Sequence, residues 1–185
     1  MLATSETHPL RIDAVQAPGL SGRLGLTLCP GKFQRNGGTV IWSRDLKTDV
    51  AAIEEWGAAL VVSLITDMEM SRLQVKRLPD ELEAAGINWL HLPIHDGTPP
   101  GPELVREWPA RSADILARLG RGENVLVHCK GGLGRAGTVA AMLLMDAGVP
   151  VDQAIHDVRA ARPGAIETLG QERFLRQRAQ RLSEA

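Results

Sequence analysis

The stretch Val125-Leu-Val-His128-Cys129-Lys130-Gly131-Gly132-Leu133-Gly134-Arg135 limits what this chain can fold into more than any other. A short, apolar, β-branched run ends at a cysteine, three glycines follow within five positions, and a helical pattern starts at Arg135. A strand without polar alternation is buried on both faces, as in a parallel sheet, and parallel strands are reconnected by crossovers that are usually helical. The segment reads as the strand–loop–helix unit of an α/β domain. Further strands are expected at 23–29, 59–65 and 87–92, with Asn124–His128 as the buried run itself. Helices are expected at 45–56, where Leu46, Val50, Ile53 and Trp56 share one face, and as two short pieces within 68–85, broken before Pro79. Others follow at 103–119, with Pro109 bending or splitting it, at 135–147, at 151–161 and at 171–182. Residues 1–22, with Pro9, Pro18, Gly19 and Gly22, read as a loosely ordered lead-in to a domain at 23–185. The expected fold class is α/β: a single domain with a mainly parallel central sheet flanked by helices.

Composition narrows the functional classes. A length of 185 residues fits one hydrophobic core. No apolar stretch approaches the ~20 residues of a spanning helix, so no membrane association is expected. The N-terminal residues carry no basic patch leading into an apolar run, so secretion is not indicated. Cys29 and Cys129 cannot build a disulfide framework, and a reducing, cytoplasmic setting is the simpler expectation. A net charge of −1 argues against an obligatory nucleic-acid partner.

The loop itself carries the chemistry. Glycines let successive N–H groups converge on one centre as an anion nest, and the start of the next helix adds its positive end. Arg135 offers a planar two-pronged donor to a phosphoryl group. Such surroundings favour a thiolate, with cysteines in comparable settings at pKa values of about 3.5–7.5, so Cys129 is a candidate nucleophile aimed at bound phosphate. The bland alternative, a buried cysteine in an ordinary turn, needs neither three glycines nor an arginine. A leaving oxygen also needs a proton donor. Asp96 follows a predicted strand, as Cys129 does, and ligands in open α/β sheets gather at the carboxyl ends of strands. An aspartate before Gly97 is equally at home in a turn, and His95 is a rival donor.

The run from His128 to Arg135 resembles the signature loop of the cysteine-dependent protein-tyrosine and dual-specificity phosphatases, and within them the kinase-associated phosphatase group. Leu26-Thr-Leu-Cys29-Pro-Gly-Lys-Phe33, Leu92-Pro-Ile-His-Asp-Gly-Thr-Pro99 and Arg162-Pro-Gly-Ala-Ile-Glu-Thr168 carry the resemblance from about residue 24 to 182. It implies the cysteine-phosphatase fold, Cys129 as nucleophile, Arg135 as phosphate clamp and Asp96 as general acid. Lys130, Gly131, Gly132, Leu133, Gly134 and Arg135 would form the phosphate loop, and Gln171 would help position water, against the reading of an exposed helical glutamine. No cofactor and no metal is implied. The partner would be a phosphoprotein, more narrowly a phosphorylated kinase. Phosphoinositide, nucleotide or RNA phosphates are the alternative substrates. A weakly active phospho-binding module is an alternative role, and a rhodanese-like sulfurtransferase is a rival use of the same kind of loop.

Ala136 departs from the pattern: many relatives place a Ser or Thr there, whose hydroxyl assists loss of the thiolate, so slow breakdown of the phosphoenzyme is expected. Thr138 lies nearly opposite on the helix. Lys130 resembles the phosphoinositide phosphatases, but their second basic position is Leu133 here, and a solvent-facing lysine is the simpler reading. His91 and His95 flank Pro93, which disfavours a helical metal pair. His128 reads as a hydrogen-bonded core histidine, and Cys29 as a small core residue with a reversible disulfide to Cys129 as its alternative. Arg173, Arg176, Arg178 and Arg181 read as a solvated basic face, with docking of an acidic partner as the minor reading.

Overall fold

The structure, a computed structural model, describes residues 1–35 and 40–184. In chain order the elements are β1 (Leu2–Ala3), β2 (Asp13–Val15), β3 (Leu24–Thr27), β4 (Phe33–Arg35), β5 (Ile41–Ser43), α1 (Leu46–Glu55), β6 (Ala58–Ser63), α2 (Asp67–Arg72), α3 (Leu78–Ala84), β7 (Asn88–His91), α4 (Pro102–Gly120), β8 (Asn124–His128), α5 (Gly134–Asp146), α6 (Val151–Ala161) and α7 (Leu169–Ser183).

The central sheet has the order β2-β3-β8-β6-β7. Strands β3, β8, β6 and β7 run parallel, and β2 closes the edge antiparallel to β3. Side chains alternate between two cores with the two-residue period of a strand. Leu60, Val62, Val125 and Val127 face the larger core under α4–α7, whereas Val61 and Leu126 face the smaller one under α1 and α3. Helix α5 is buried from Gly134 to Met145, and its only ionisable side chains are those of Arg135 and Asp146. A helix that is apolar all round must lie inside the domain, and this one follows directly from the central strand. The register sets Thr27, Ser63 and His128 level with one another. The segments after β3, β6, β7 and β8 therefore leave the sheet at one edge.

Two expectations are corrected. Residues 1–22 are not a loose lead-in: β2 supplies the hydrogen-bonding edge that the fully buried β3 requires, and β1 joins β5 in a small three-stranded sheet. Ser5 donates to Asp49 at 2.8 Å, where Arg44 also lands with both side chains 1% exposed. Pro109 does not split its helix either. It sits on the exposed face of α4, and the loss of one backbone hydrogen bond is outweighed by the burial of Trp108, Ile115 and Leu119. Trp108 and Ser112 both donate to Asp146 at 2.6 Å, tying α4 to α5.

Candidate active site

Cys129 follows the last residue of β8 and is 2% exposed. The loop turns back beneath it so that the Gly132 N–H donates to the Cys129 Sγ at 3.2 Å. Only glycine fits at position 132: φ is +73°, and a Cβ would lie 2.3 Å from the Thr27 carbonyl. His128 is fully buried and its pKa is pushed down to about 4, chiefly by that burial, so the ring is neutral. Trp89 donates to Ser63 at 2.8 Å, and Ser63 meets His128 Nε2 at 2.6 Å. With the Ser63 proton directed at Nε2, His128 Nδ1 carries its own proton toward the Cys129 carbonyl at 3.3 Å. The expected hydrogen-bonded core histidine is what the structure contains.

Arg135, in the first turn of α5, is 1% exposed at its side chain. Glu69 grips it at both ends, with Nη1 at 2.7 Å and Nη2 at 2.8 Å, and Nη1 also reaches the Ile94 carbonyl at 2.8 Å. This two-pronged bond fixes the guanidinium plane and, among the described residues, leaves the buried Nε without a partner. Glu69 is held in turn by the capping box of α2, where it accepts from the Thr66 N–H. Burial opposes its ionisation, but the bonds from Arg135 and Thr66 hold its carboxyl below the usual range. Asp96, from the segment after β7, lies between two cations, 2.7 Å from Lys130 Nζ and 3.0 Å from Arg135 Nη2. Partial burial raises its pKa, but Lys130 and Arg135 outweigh that and keep the carboxyl below its ordinary value. Three segments far apart in sequence thus meet around one loop.

The profile of the PTP-SAK family, the Swiss Army Knife DSP-PTPase phosphatase domain, matches residues 39–175. This chain belongs to that family. It is 31% identical over 179 residues to cyclin-dependent kinase inhibitor 3 of Rattus norvegicus, covering 94% of this chain and 80% of that one. It is 31% identical over 123 residues to protein tyrosine phosphatase type IVA 3 of Homo sapiens, covering 66% of each. A crystal structure of kinase associated phosphatase, with serine in place of its catalytic-site cysteine, superposes with a TM-score of 0.80 at 27% identity, covering 96% of this chain and 98% of that one. Tk-PTP in its active form gives a TM-score of 0.68 at 30% identity, covering 90% and 99%. The chain is a hydrolase of the cysteine-dependent tyrosine and dual-specificity phosphatase class, with the α/β fold its sequence implied. Among the described residues, no helix of the phosphatase is long and apolar enough to cross a membrane.

The loop of the phosphatase is held from outside by side chains that sequence reasoning gave no role. Arg162, at the end of α6, donates to the Gly132 carbonyl through Nε and to the Gly131 carbonyl through Nη2 at 3.2 Å. Lys32, 4% exposed, donates to the Lys130 carbonyl at 3.1 Å and lies 4.6 Å over the Trp42 ring. A carbonyl and the following N–H point in opposite directions across one planar peptide. Drawing three successive carbonyls outward therefore turns the N–H groups of Gly131, Gly132 and Leu133 inward. Arg162 is itself anchored on β2 by Asp13 at 2.7 Å.

Gln171 is buried rather than exposed. Its amide accepts from Thr168 N–H in the capping box of α7 and donates to the Thr98 carbonyl at 3.4 Å, beyond Asp96. The Glu167 carboxylate accepts the Gly134 N–H of the loop at 2.8 Å, and the Gln171 amide packs beside it, so close that a Cβ at position 134 would lie 2.9 Å from Gln171 Nε2. Thr138 donates to the Gly134 carbonyl at 2.8 Å, so its hydroxyl is engaged within the helix. Cys29 is buried with a free thiol, its N–H on the Lys130 carbonyl at 3.3 Å. His91 bonds the Ile65 carbonyl at 2.8 Å, and among the described residues no three His, Cys, Asp or Glu side chains gather as a metal site. Arg176 and Arg178 are engaged by Asp152 and Asp146, so half of the C-terminal basic run is already neutralised.

Proposed function

We propose that the phosphatase hydrolyses a phosphoprotein monoester through Cys129, Arg135 and Asp96. The observation that carries this reading is the convergence on one loop of a thiol accepting an inward N–H and an arginine whose buried Nε has no partner among the described residues. A phosphoryl group held by the loop N–H groups takes that Nε, and takes Nη2 once Asp96 leaves it. The Cys129 thiolate attacks phosphorus, the S–P bond forms and the P–O bond to the leaving group breaks, with the proton passing from Asp96 to the departing oxygen. Water then attacks phosphorus and gives its proton to Asp96, the S–P bond breaks, and the thiolate returns.

Asp96 begins as an anion between two cations, which suits neither a proton donor nor an open clamp. An arriving phosphate dianion resolves both problems: it displaces the carboxylate from Arg135, and its charge raises the affinity of Asp96 for a proton. Glu167 gives up the Gly134 N–H in the same way. Gln171, whose amide is already bonded, holds Thr98 and through it the segment that carries Asp96.

The substrate is a phosphorylated protein in a reducing, cytoplasmic setting. The similarity to cyclin-dependent kinase inhibitor 3 and to kinase associated phosphatase makes a phosphorylated kinase the narrower candidate. The deciding experiment is metal-free hydrolysis of p-nitrophenyl phosphate in the presence of a chelator. Wild type is compared with Cys129→Ser, Arg135→Ala and Asp96→Ala. Loss of turnover in the first two and a fall of about 10²–10⁴-fold in the third are expected. Turnover that survives Cys129→Ser would sink the thiolate reading.

A further inference from the structure

Beside the phosphate loop lies a cleft of about 510 Å³. Its apolar wall includes Phe33, Met68 and Leu73, and its basic side is Arg35, Arg72 and Lys130. Two acidic residues also line it, Glu69 and Asp96. Glu69 is engaged by Arg135, and Asp96 by Arg135 and Lys130, so these two carboxylates balance those two cations. Arg35 and Arg72 are left over. Neither has a carboxylate partner among the described residues; Arg35 lies only against the Phe33 ring at 5.8 Å. Elsewhere the arginines of this chain are largely matched, as Arg44, Arg118, Arg159, Arg162, Arg176 and Arg178 show. Two positive charges therefore remain on the one wall where a substrate must lie.

Resting on the thiolate reading above, we propose that this cleft is a second subsite for an anionic side chain, phosphate or carboxylate, close in sequence to the scissile phosphoresidue. Its volume is that of a cube roughly 8 Å on a side, the span of two to three extended residues at ~3.3 Å each. The second charge then falls within about three residues of the first. The apolar wall receives the intervening side chain, and the arginines hold the anion as planar donors. A peptide fits this arrangement better than an inositol headgroup, because the hydrocarbon of Phe33, Met68 and Leu73 is interleaved with the basic residues, and the loop has Leu133 where a second loop cation would stand.

The test compares kcat/KM on matched phosphopeptides. One has neutral neighbours, and the others carry a second phosphoserine or a glutamate one to three residues away. The acidic-to-neutral ratio is expected at about five- to tenfold for wild type, the worth of two solvent-facing ion pairs. It should fall toward one in Arg35→Ala/Arg72→Ala, drop below one in Arg72→Glu, and shrink as salt is added. The ratio cancels general damage to the fold or the loop. A wild-type ratio near one, a ratio that survives the double substitution, or faster hydrolysis of phosphoinositide vesicles than of any peptide would overturn the subsite. Running p-nitrophenyl phosphate with Cys129→Ser alongside keeps the two readings separable. If that variant still turns over, the thiolate reading itself fails; if it is dead while the peptides are not discriminated, only the subsite fails.

Discussion

Removing Arg162 tests whether the phosphate loop holds its shape unaided. In Arg162→Ala the Gly131 and Gly132 carbonyls lose charged donors, and Asp13, 12% exposed, keeps Arg11, itself 73% exposed. Hydrogen bonds to charged groups contribute about 1.5–3 kcal/mol each. Water re-satisfies part of this at a side chain that is 11% exposed, so the net loss of stability should be about 2–4 kcal/mol. The catalytic cost is separate. Freed carbonyls let the peptides between 131 and 133 turn, and a cradle donor that turns away costs about 10²–10³ in kcat. Because only part of the population turns, the expected fall in kcat/KM is about 10²-fold. The assay is p-nitrophenyl phosphate turnover and competitive inhibition by vanadate, at a temperature where circular dichroism shows the variant folded. Vanadate should weaken in step with kcat/KM, Arg162→Lys should recover part of both, and Asp13→Asn should lose about tenfold through the loosened anchor. A variant with a lowered Tm but kcat/KM and vanadate inhibition within twofold of wild type would show Arg162 to be a staple of the fold only, and refute the reasoning.

Asp96→Asn removes both the proposed proton donor and the competing carboxylate, so kcat should fall by about 10²–10³ while vanadate binds more tightly; an unchanged kcat would count against the acid. Lys32 has a pKa lowered to about 8, chiefly by burial, so the charge behind the loop is lost above that pH. We expect an alkaline limb in kcat/KM worth about three- to tenfold, absent from Lys32→Met. From pH 8 to about 10.4 the unfolded chain binds the proton that the folded chain has released, so stability should rise with pH there, opposite in sign to the activity; a pH–Tm series checks it. Ala136→Ser should speed breakdown of the phosphocysteine: wild type should show a stopped-flow burst followed by slow turnover, and the variant a faster steady state with less burst.

The parts of this enzyme that were legible in sequence are those whose neighbours in space are neighbours in the chain. Residues 124–147 announce strand, loop and helix because the apolar run, the glycines and the arginine are contiguous, and β8, the loop and α5 follow that order. Glu69 escaped, since its bond to Arg135 spans 66 positions, although Thr66-Asp-Met-Glu69 is a capping-box pattern that marks a helix start at the active edge of the sheet. The small strands β1, β2, β4 and β5 have two or three residues each, too few for any alternation to register.

The collar around the loop was hidden for a deeper reason. The inside of an anion cradle demands particular residue types: glycine where φ is positive and a Cβ would collide, and an arginine that can present its fork. The outside demands only that some cation reach a carbonyl, and the chain provides one from 98 positions before Lys130 and another that is tied to β2 across 149 positions. A lysine in the turn before β4 and an arginine after α6 carry no local mark of that duty. The stretches 26–33 and 162–168 stood out by resemblance with no role attached, and the structure now supplies a contact for each: Lys32 and Arg162 donate to successive carbonyls of the same loop. On the proposed reading, the N-terminal strand β2, through Asp13 and Arg162, helps to shape the phosphate site, and damage there should be read in vanadate affinity as well as in Tm.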